Sequence, residues 1–494
     1  MSQSHMFVQV DPRTVEVGPN VRLDPRLDQP FLASVRERGV LEPVLLYRAE
    51  DGTLTVLAGQ RRTLAARETG LASIPAVVSD TPPADADRLV DQYVENEHRA
   101  ALTNTERITA VEQMALAGLS EHQIAKRTGT DKATIHAAKV AASSPASREA
   151  ADQLTLDQAA TLAEFDDDPQ AVATLLSAAE RGYGFDHAAQ RLRNDRAETA
   201  ARAALALELT AQGVTVIDRP GYDDPATPLD HLTDPAGNPI TPDGHTTCPG
   251  HAAFVAYQWH YTTPDDDPTD QDADDDDLAD GEDEGDGGVG WSAPTREQVL
   301  AATYVCTDPD RHGHRPCPGY GPRTSSGVPE KKRAADMTDT ERETARAERR
   351  RVIESNKAWK AATDVRRDWL QTFATRKTAP AGAETYLAQA VVQGWTADPA
   401  STDTLALVGH PAPDDVTPWT RATTQATALL ATLEGASPKR ALQVAVAVTV
   451  ATWEVRTQPQ SWRNPDPHTV ATLRYLQQWG YPLSEIEQQM ITDQ

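Results

Sequence analysis

Residues 118–141 read GLSEHQIAKRTGTDKATIHAAKVA, and this stretch decides the fold around it. Ser120 followed three residues later by Gln123 is the signature of a capped helix start, each side chain satisfying an orphan backbone donor. Ile124 and Ala125 then fall on an inward face, and Ala125 is small, as the close crossing of two helices requires. Gly129 supplies the turn. A second helix begins near Asp131 and is anchored by Ile135. Two short helices joined so tightly predict a helix-turn-helix, whose second helix lies in the major groove of DNA. Its outward residues are Lys132, Ala133, Thr134, His136 and Lys139. Lys132, Thr134 and His136 suit base edges, whereas Lys139, Lys126 and Arg127 suit phosphates. The competing reading is a helical hairpin with a solvated basic face.

That positive face belongs to an acidic chain of 494 residues with a formal net charge of -27. One window, residues 265–286, holds 14 acidic residues and no Lys or Arg. Charge acts locally, so this excess does not argue against nucleic acid elsewhere in the chain. The window has too little apolar content to fold, and disorder is expected of it. It reads as a solvated linker or, more sharply, as a DNA mimic competing for the basic helix. No apolar run approaches the roughly 20 residues that a bilayer span needs. Residues 1–11 lack the charged-then-apolar pattern of a signal peptide. A cytoplasmic protein with no membrane partner is therefore expected.

Upstream of the helix pair, residues 7–82 alternate short apolar runs with helical patterns and read as a small α/β unit. Pro43 to Tyr47 and Thr53 to Leu57 read as strands across the turn at Asp51-Gly52, and Ile74 to Val78 as another. Leu32 to Arg38 and Arg62 to Thr69 read as helices that end at Gly39 and Gly70. Gly59-Gln60-Arg61-Arg62 follows a strand and opens a helix. Gly59 permits close backbone approach, the helix start offers free N–H groups, and Arg61 and Arg62 add charged donors, which together suit a phosphate. An ordinary basic helix start is the alternative. Glu95 and Asn96 could give oxygen ligands to Mg2+. The alternative there is an exposed ion pair between Glu95 and Arg99.

The order of these pieces carries more than any one of them. Asn20-Val21-Arg22, the run Ser34 to Pro43 (SVRERGVLEP), Gly59 to Arg62, Ile74-Pro75 and Glu95-Asn96 with Arg99 resemble the ParB/RepB partition family in sequence and spacing. The helix-turn-helix at its distance from Glu95, and the segment Leu154 to Leu162, resemble that family too. The resemblance covers about residues 7–200. It implies a CTP-binding clamp that closes two N-terminal domains around double-stranded DNA. Gly59, Arg61 and Arg62 would then contact the triphosphate, with Gln60 in the same box; Glu95 and Asn96 would hold Mg2+, and Arg99, on the same helix, would belong to the nucleotide site. A homodimer and a ParA-type ATPase partner are implied as well. The chain departs from the family at Gln60 (a glutamate there), His98 (commonly Gln) and Val21 (Pro). Gln60 removes a negative charge beside the phosphates and leaves weak CTP hydrolysis an open question.

Three cysteines lie between 248 and 317, too few for a disulfide scaffold. Cys248-Pro-Gly-His251 is one knuckle, and Cys306, His312, His314 and Cys317 supply a second. Val255 to Tyr261 and Val299 to Val305 read as strands. If they pair as a hairpin, both knuckles meet at one end, which favours structural Zn2+ on Cys248, His251 and Cys306 with one of His312, His314 or Cys317. Reduced cysteines in a polar domain are the alternative.

The expected fold class is α+β. It comprises a ParB-like α/β domain (7–82), an all-α helix-turn-helix domain (84–200), a β-hairpin zinc module (210–325, with a disordered acidic insert at 263–292) and a helical C-terminal domain (337–494). Thr338 and Glu341 form a capping box, and Ser437-Pro438 and Asp466-Pro467 open further helices. Arg346, Arg349, Arg350 and Arg351 give one of these helices a basic stretch. The expected function is CTP-dependent DNA clamping in plasmid or chromosome partition, associated with nucleoid or plasmid. Two alternatives are a plasmid or phage transcriptional regulator and a ParB-fold enzyme acting as a nuclease or small-molecule kinase.

Overall fold

The computed structural model describes residues 5–17, 27–49, 51–79, 85–99, 101–221, 224–262, 295–317, 338–395, 401–413 and 416–492. It has a mixed α+β architecture that begins with β1 (His5–Val10), α1 (Gln29–Arg38), β2 (Val44–Arg48), β3 (Leu54–Ala58), α2 (Gln60–Glu68) and β4 (Ile74–Ser79). The strands form one sheet in the order β1-β4-β2-β3. β1 runs antiparallel to β4, β4 parallel to β2, and β2 and β3 make a hairpin. Alternation along β4 turns Ile74, Ala76 and Val78 into a core shared with Val44, Leu46, Val56 and Ala66. β1 is a strand that the sequence pattern does not announce. It lies at the sheet edge: Val8 and Val10 pack on the core, while the apolar neighbours Met6 and Phe7 are both exposed and blur the sequence pattern.

An all-helical run follows. It contains α3 (Asp85–Arg99), α4 (Asn104–Leu116), α5 (Glu121–Thr128), α6 (Lys132–Ala142), α7 (Pro145–Ala150), α8 (Leu156–Ala163), α9 (Pro169–Arg181) and α10 (Phe185–Ala211). Short polar caps cut it into pieces. Thr103, Ser120, Asp131, Ser144, Thr155 and Asp168 each accept a first-turn backbone N–H at a helix start. α6 packs on α4 and α8 through Ile135, Ala137, Ala138, Ala141 and Ala142, all buried.

The next region contains β5 (Thr215–Val216), β6 (Thr227–Pro228), β7 (Leu232–Thr233), β8 (His251–Thr262), β9 (Thr295–Cys306), α11 (Pro309–His312) and β10 (Arg315–Pro316). β8 and β9 pair antiparallel over their full length, from His251 opposite Cys306 to Thr262 opposite Thr295. β5 and β6 flank that hairpin, and β7 pairs with β10. The acidic tract expected to be disordered lies outside the described residues.

The remainder is helical: α12 (Asp339–Ala374), α13 (Ala383–Val392), α14 (Thr402–Leu407), α15 (Pro418–Leu433), α16 (Pro438–Arg456), α17 (Pro467–Gln478) and α18 (Glu485–Thr492). Trp359, Phe373, Tyr386, Trp453, Trp479 and Tyr481 centre its core. Arg366 is buried there between Glu454 and Glu487. Two compact units result, one of Met1–Gln190 with Ala358–Gln494 and one of Arg191–Lys357. Among the described residues no helix is long and apolar enough to cross a membrane.

Candidate nucleotide and nucleic-acid site

β3 delivers the chain into Gly59, whose φ of 98° lies in the left-handed region. A Cβ at this position would meet Val44 Cγ1 at 2.8 Å, so both conformation and space call for glycine. α2 starts at Gln60 with no side-chain cap. Its first N–H groups and the positive end of its dipole thus lack a carboxylate or hydroxyl from the preceding residue, and they suit an external anion.

The two arginines of the box are held by nearby groups. Arg61 Nη2 donates to Asp28 Oδ2 at 2.9 Å, and its guanidinium lies 4.1 Å from the Phe31 ring centroid. Arg61 Nε is buried without a hydrogen-bond partner. Arg62 Nη1 donates to the Glu42 and Pro43 carbonyls at 2.8 and 3.1 Å and lies 3.3 Å from the Glu42 carboxylate. On α3, Gln92 Nε2 reaches the Leu57 carbonyl at 3.4 Å, two residues before Gly59. Glu95 and Asn96 follow Gln92 by three and four positions and so share its helical face. Both are half-buried. The structure therefore puts the Glu95–Asn96 face of α3 next to the strand that feeds the box. The Arg99 side chain lies outside the described residues, as do Asn20 and Arg22.

The second site is built by α5 and α6. Ser120 and Gln123 make the full capping box, Gly129 turns at φ 71°, and Asp131 caps α6 by accepting from the Thr134 N–H. Ile124 and Ile135 are fully buried, and Ala125 is half-buried. Lys126, Arg127, Lys132, His136 and Lys139 are exposed. Thr134 is half-buried, and its hydroxyl donates to Asp131 at 2.6 Å, so the cap already uses it. Arg127 pairs with Asp87. Glu121, at the start of α5, accepts from Lys139 Nζ at 2.9 Å and lies 3.4 Å from His136 Nδ1. Lys139 first, and His136 after it, hold the Glu121 carboxyl below its ordinary range. A carboxylate on this face is an intramolecular competitor for any phosphate that binds there, a feature absent from the sequence expectation.

Of the six expected metal ligands, three converge. Cys248, Cys306 and His314 meet together with His245, a residue the sequence reading overlooked. His251 stands behind His245, with Nδ1 3.0 Å from His245 Nδ1. His312 lies against Gly250, and Cys317 Sγ faces the Asp230 carbonyl at 3.7 Å. The spacing from His245 to Cys248 equals that from Cys248 to His251. That equal spacing is the signal that could have added His245 to the candidates, and the closing of the turn brings His245 to the sulfurs in place of His251.

Residues 8–96 match the family described as the ParB N-terminal domain. A probable chromosome-partitioning protein ParB of Treponema pallidum is 38% identical over 104 residues, which cover 21% of this chain and 32% of the relative. The chromosome-partitioning protein Spo0J of Thermus thermophilus is 35% identical over 102 residues, covering 21% and 37%. A probable ParB of Pseudomonas putida is 25% identical over 213 residues, covering 43% and 64%. The chain thus spans from about a third to under two thirds of the length of these relatives. Among solved structures, truncated ParB from Caulobacter crescentus complexed to the centromeric parS site aligns at 20% identity and a TM-score of 0.27, covering 37% of this chain and 96% of that one. Residues 8–96 of this chain thus carry a ParB N-terminal domain, similar in sequence to that region of chromosome-partitioning proteins.

Proposed function

We propose that this chain is a DNA-binding partition protein whose N-terminal region binds CTP with Mg2+ and closes as a homodimeric clamp on double-stranded DNA. The observation that carries the reading is the open start of α2 behind Gly59, with Arg61 and Arg62 beside it. Phosphate oxygens would accept from the first-turn N–H groups and from both guanidiniums, in exchange for Asp28 and Glu42. Glu95 and Asn96 would hold Mg2+, which would offset the negative charge of the phosphates. CTP supplies a multiply charged anion, and the chain's own groups do the binding and orienting. Gln60 leaves the box without its carboxylate, which favours binding over turnover. Lys132 and His136 on α6 would read base edges, and Lys126, Arg127 and Lys139 would take phosphates. A ParA-type ATPase is the expected partner, and the nucleoid or a plasmid the expected place of action.

Nucleotide binding is tested by calorimetry with CTP and Mg2+, with and without the chain's cognate DNA site, which is first found by sequencing the fragments it retains. Clamp closure is tested by cross-linking cysteines introduced at the N-terminal domain surface. CTP binding that DNA strengthens, together with cross-links that need both ligands, is expected. Absence of CTP binding at physiological Mg2+ sinks the clamp and leaves a plain DNA-binding protein. Lys132→Ala should cost about 1–3 kcal/mol of discrimination at the base it reads.

A further inference from the structure

The unit Arg191–Lys357 draws four nitrogen and sulfur donors from three separate stretches of chain. His245 ends a single 3-10 turn, and Cys248 follows it in the turn that enters β8. Cys306 is the last residue of β9. His314 comes after α11 and the left-handed Gly313. One ligand atom from each lies within 4.8 Å of all the others. His245 Nε2 and His314 Nε2 are 3.0 Å apart, and Cys248 Sγ is 3.6 Å from His314 Nε2. Around a tetrahedral zinc, with bonds of about 2.0–2.1 Å to nitrogen and about 2.3 Å to sulfur, neighbouring donors sit about 3.4 Å apart for two nitrogens and about 3.6 Å for nitrogen and sulfur. The observed separations approach those edges. A hydrogen bond between two imidazoles accounts for the nitrogen pair alone; it gives no reason for two thiols to close on the same point.

We propose that this chain holds a structural zinc ion on His245, Cys248, Cys306 and His314. The surroundings are built for it. With Nε2 of His245 given to the metal, its Nδ1 carries the proton and donates to His251 Nδ1 at 3.0 Å. An outer partner of this kind fixes the tautomer and the orientation of a ligating imidazole. The His251 ring is itself stacked on Tyr304. Gly250 closes the turn over the sulfur, since a Cβ there would lie 2.8 Å from Cys306 Sγ and 2.7 Å from the His312 ring. The Cys248 N–H donates to the His245 carbonyl, the His251 N–H to the Cys248 carbonyl, and the Thr307 N–H to the Gly250 carbonyl.

Four protein ligands leave no open coordination position, so the site is structural and not catalytic. Its occupant ties the base of the β8–β9 hairpin to the stretches at 243–248 and 309–314. The apolar cluster beside it contains only Leu229, Leu232 and Cys306 as buried members, and a metal offsets so small a core. Binding releases the two thiol protons to solvent as the thiolates form. None of this depends on the nucleotide or DNA reading.

The test uses untagged, full-length protein purified without chelator. Elemental analysis should give one zinc per chain. Cobalt in its place should show tetrahedral ligand-field bands with a thiolate charge-transfer band. His245→Asn, His314→Asn and Cys248→Ser should each lose the metal or these bands, while His312→Asn and Cys317→Ser should keep them. His251→Asn should retain the stoichiometry but weaken affinity about 10–100-fold in a chelator competition. Cys306 is buried, and its serine variant can fail to fold, so half-exposed His314 is the primary substitution, with circular dichroism as the folding control. A protein with no zinc and no cobalt spectrum overturns the site and leaves a hydrogen-bonded histidine chain. Zinc that survives His245→Asn and His314→Asn but leaves with Cys317→Ser or His312→Asn overturns the ligand set.

Discussion

Replacing Arg366 by Met should destabilise the C-terminal helical core by about 3–5 kcal/mol at neutral pH, the cost of stranding a buried charge by removing its partner. Arg366 is 2% exposed, with Nε 2.7 Å from Glu454 and Nη1 2.6 Å from Glu487. Its guanidinium also lies 4.4 Å from the Trp359 ring centroid. Met keeps the length and loses the charge. Glu487 would still accept from the Ser484 N–H and hydroxyl and from Tyr481, whereas Glu454 would keep only half-exposed Arg367 at 3.5 Å. Burial already pushes the Glu454 carboxyl up against the pull of Arg366, and removing the arginine pushes it further. A carboxyl with a raised folded-state pKa binds its proton more readily in the folded chain than in the unfolded one. Its penalty is therefore absent below the unfolded value of about 4.3 and grows as pH rises through the folded one. The gap between variant and parent should be smaller near pH 5 than near pH 8. Urea titration followed by tryptophan emission reads this core directly, because seven of the nine tryptophans lie between Trp359 and Trp479. A loss below about 1 kcal/mol at neutral pH, well short of the usual cost of breaking a buried pair, would refute the argument. So would a gap of equal size at pH 5 and pH 8.

Three other perturbations test the N-terminal sites. Glu121→Gln frees Lys139 and His136, so DNA affinity should rise several-fold at low salt and the gain should shrink as salt is added, measured by fluorescence anisotropy; an unchanged or lower affinity counts against the competitor role. Arg62→Ala should remove CTP binding in calorimetry while initial DNA recognition persists, and retained CTP affinity would move the phosphate elsewhere. Gly59→Ala forces a Cβ against Val44 at φ 98° and should lower stability by about 1–3 kcal/mol, read as a drop in Tm; an unchanged Tm would mean that the turn relaxes freely.

What the sequence made legible was local. Ser120 with Gln123, Gly129 and Asp131 fix their helix ends through contacts no more than a few residues long, and these appear in the structure as the spacing predicts. The helix starts at Ser437-Pro438 and Asp466-Pro467 are of the same kind. What stayed hidden depends on distant pairing. β1 is a strand because β4 lies beside it; Val8 and Val10 turn to the core, but the consecutive apolar run Met6-Phe7-Val8 blurs the pattern in the sequence. His245 became a candidate ligand only when the 243–248 turn closed toward His314, far along the chain. Arg366, Glu454 and Glu487 come from three different helices, and nothing in the sequence around each marks it as a partner of the others. Glu121 lies in the first turn of α5, and nothing in the sequence around it marks it as a neighbour of Lys139.

The two faces of α6 have a consequence for how the protein can diverge. The residues that seat the helix are Ile135, Ala137, Ala138, Ala141 and Ala142, and those that meet the outside are Lys132, Ala133, His136 and Lys139. The two sets share no member. Enlarging an inward alanine into a packed interface costs about 1–3 kcal/mol, whereas an outward substitution stays within about 0.5 kcal/mol. Selection can therefore rewrite the outward letters while the helix keeps its seat. On the proposed DNA-reading role of α6, two copies of such a gene resident in one cell could acquire separate targets by drift at four surface positions, each keeping the scaffold of the other.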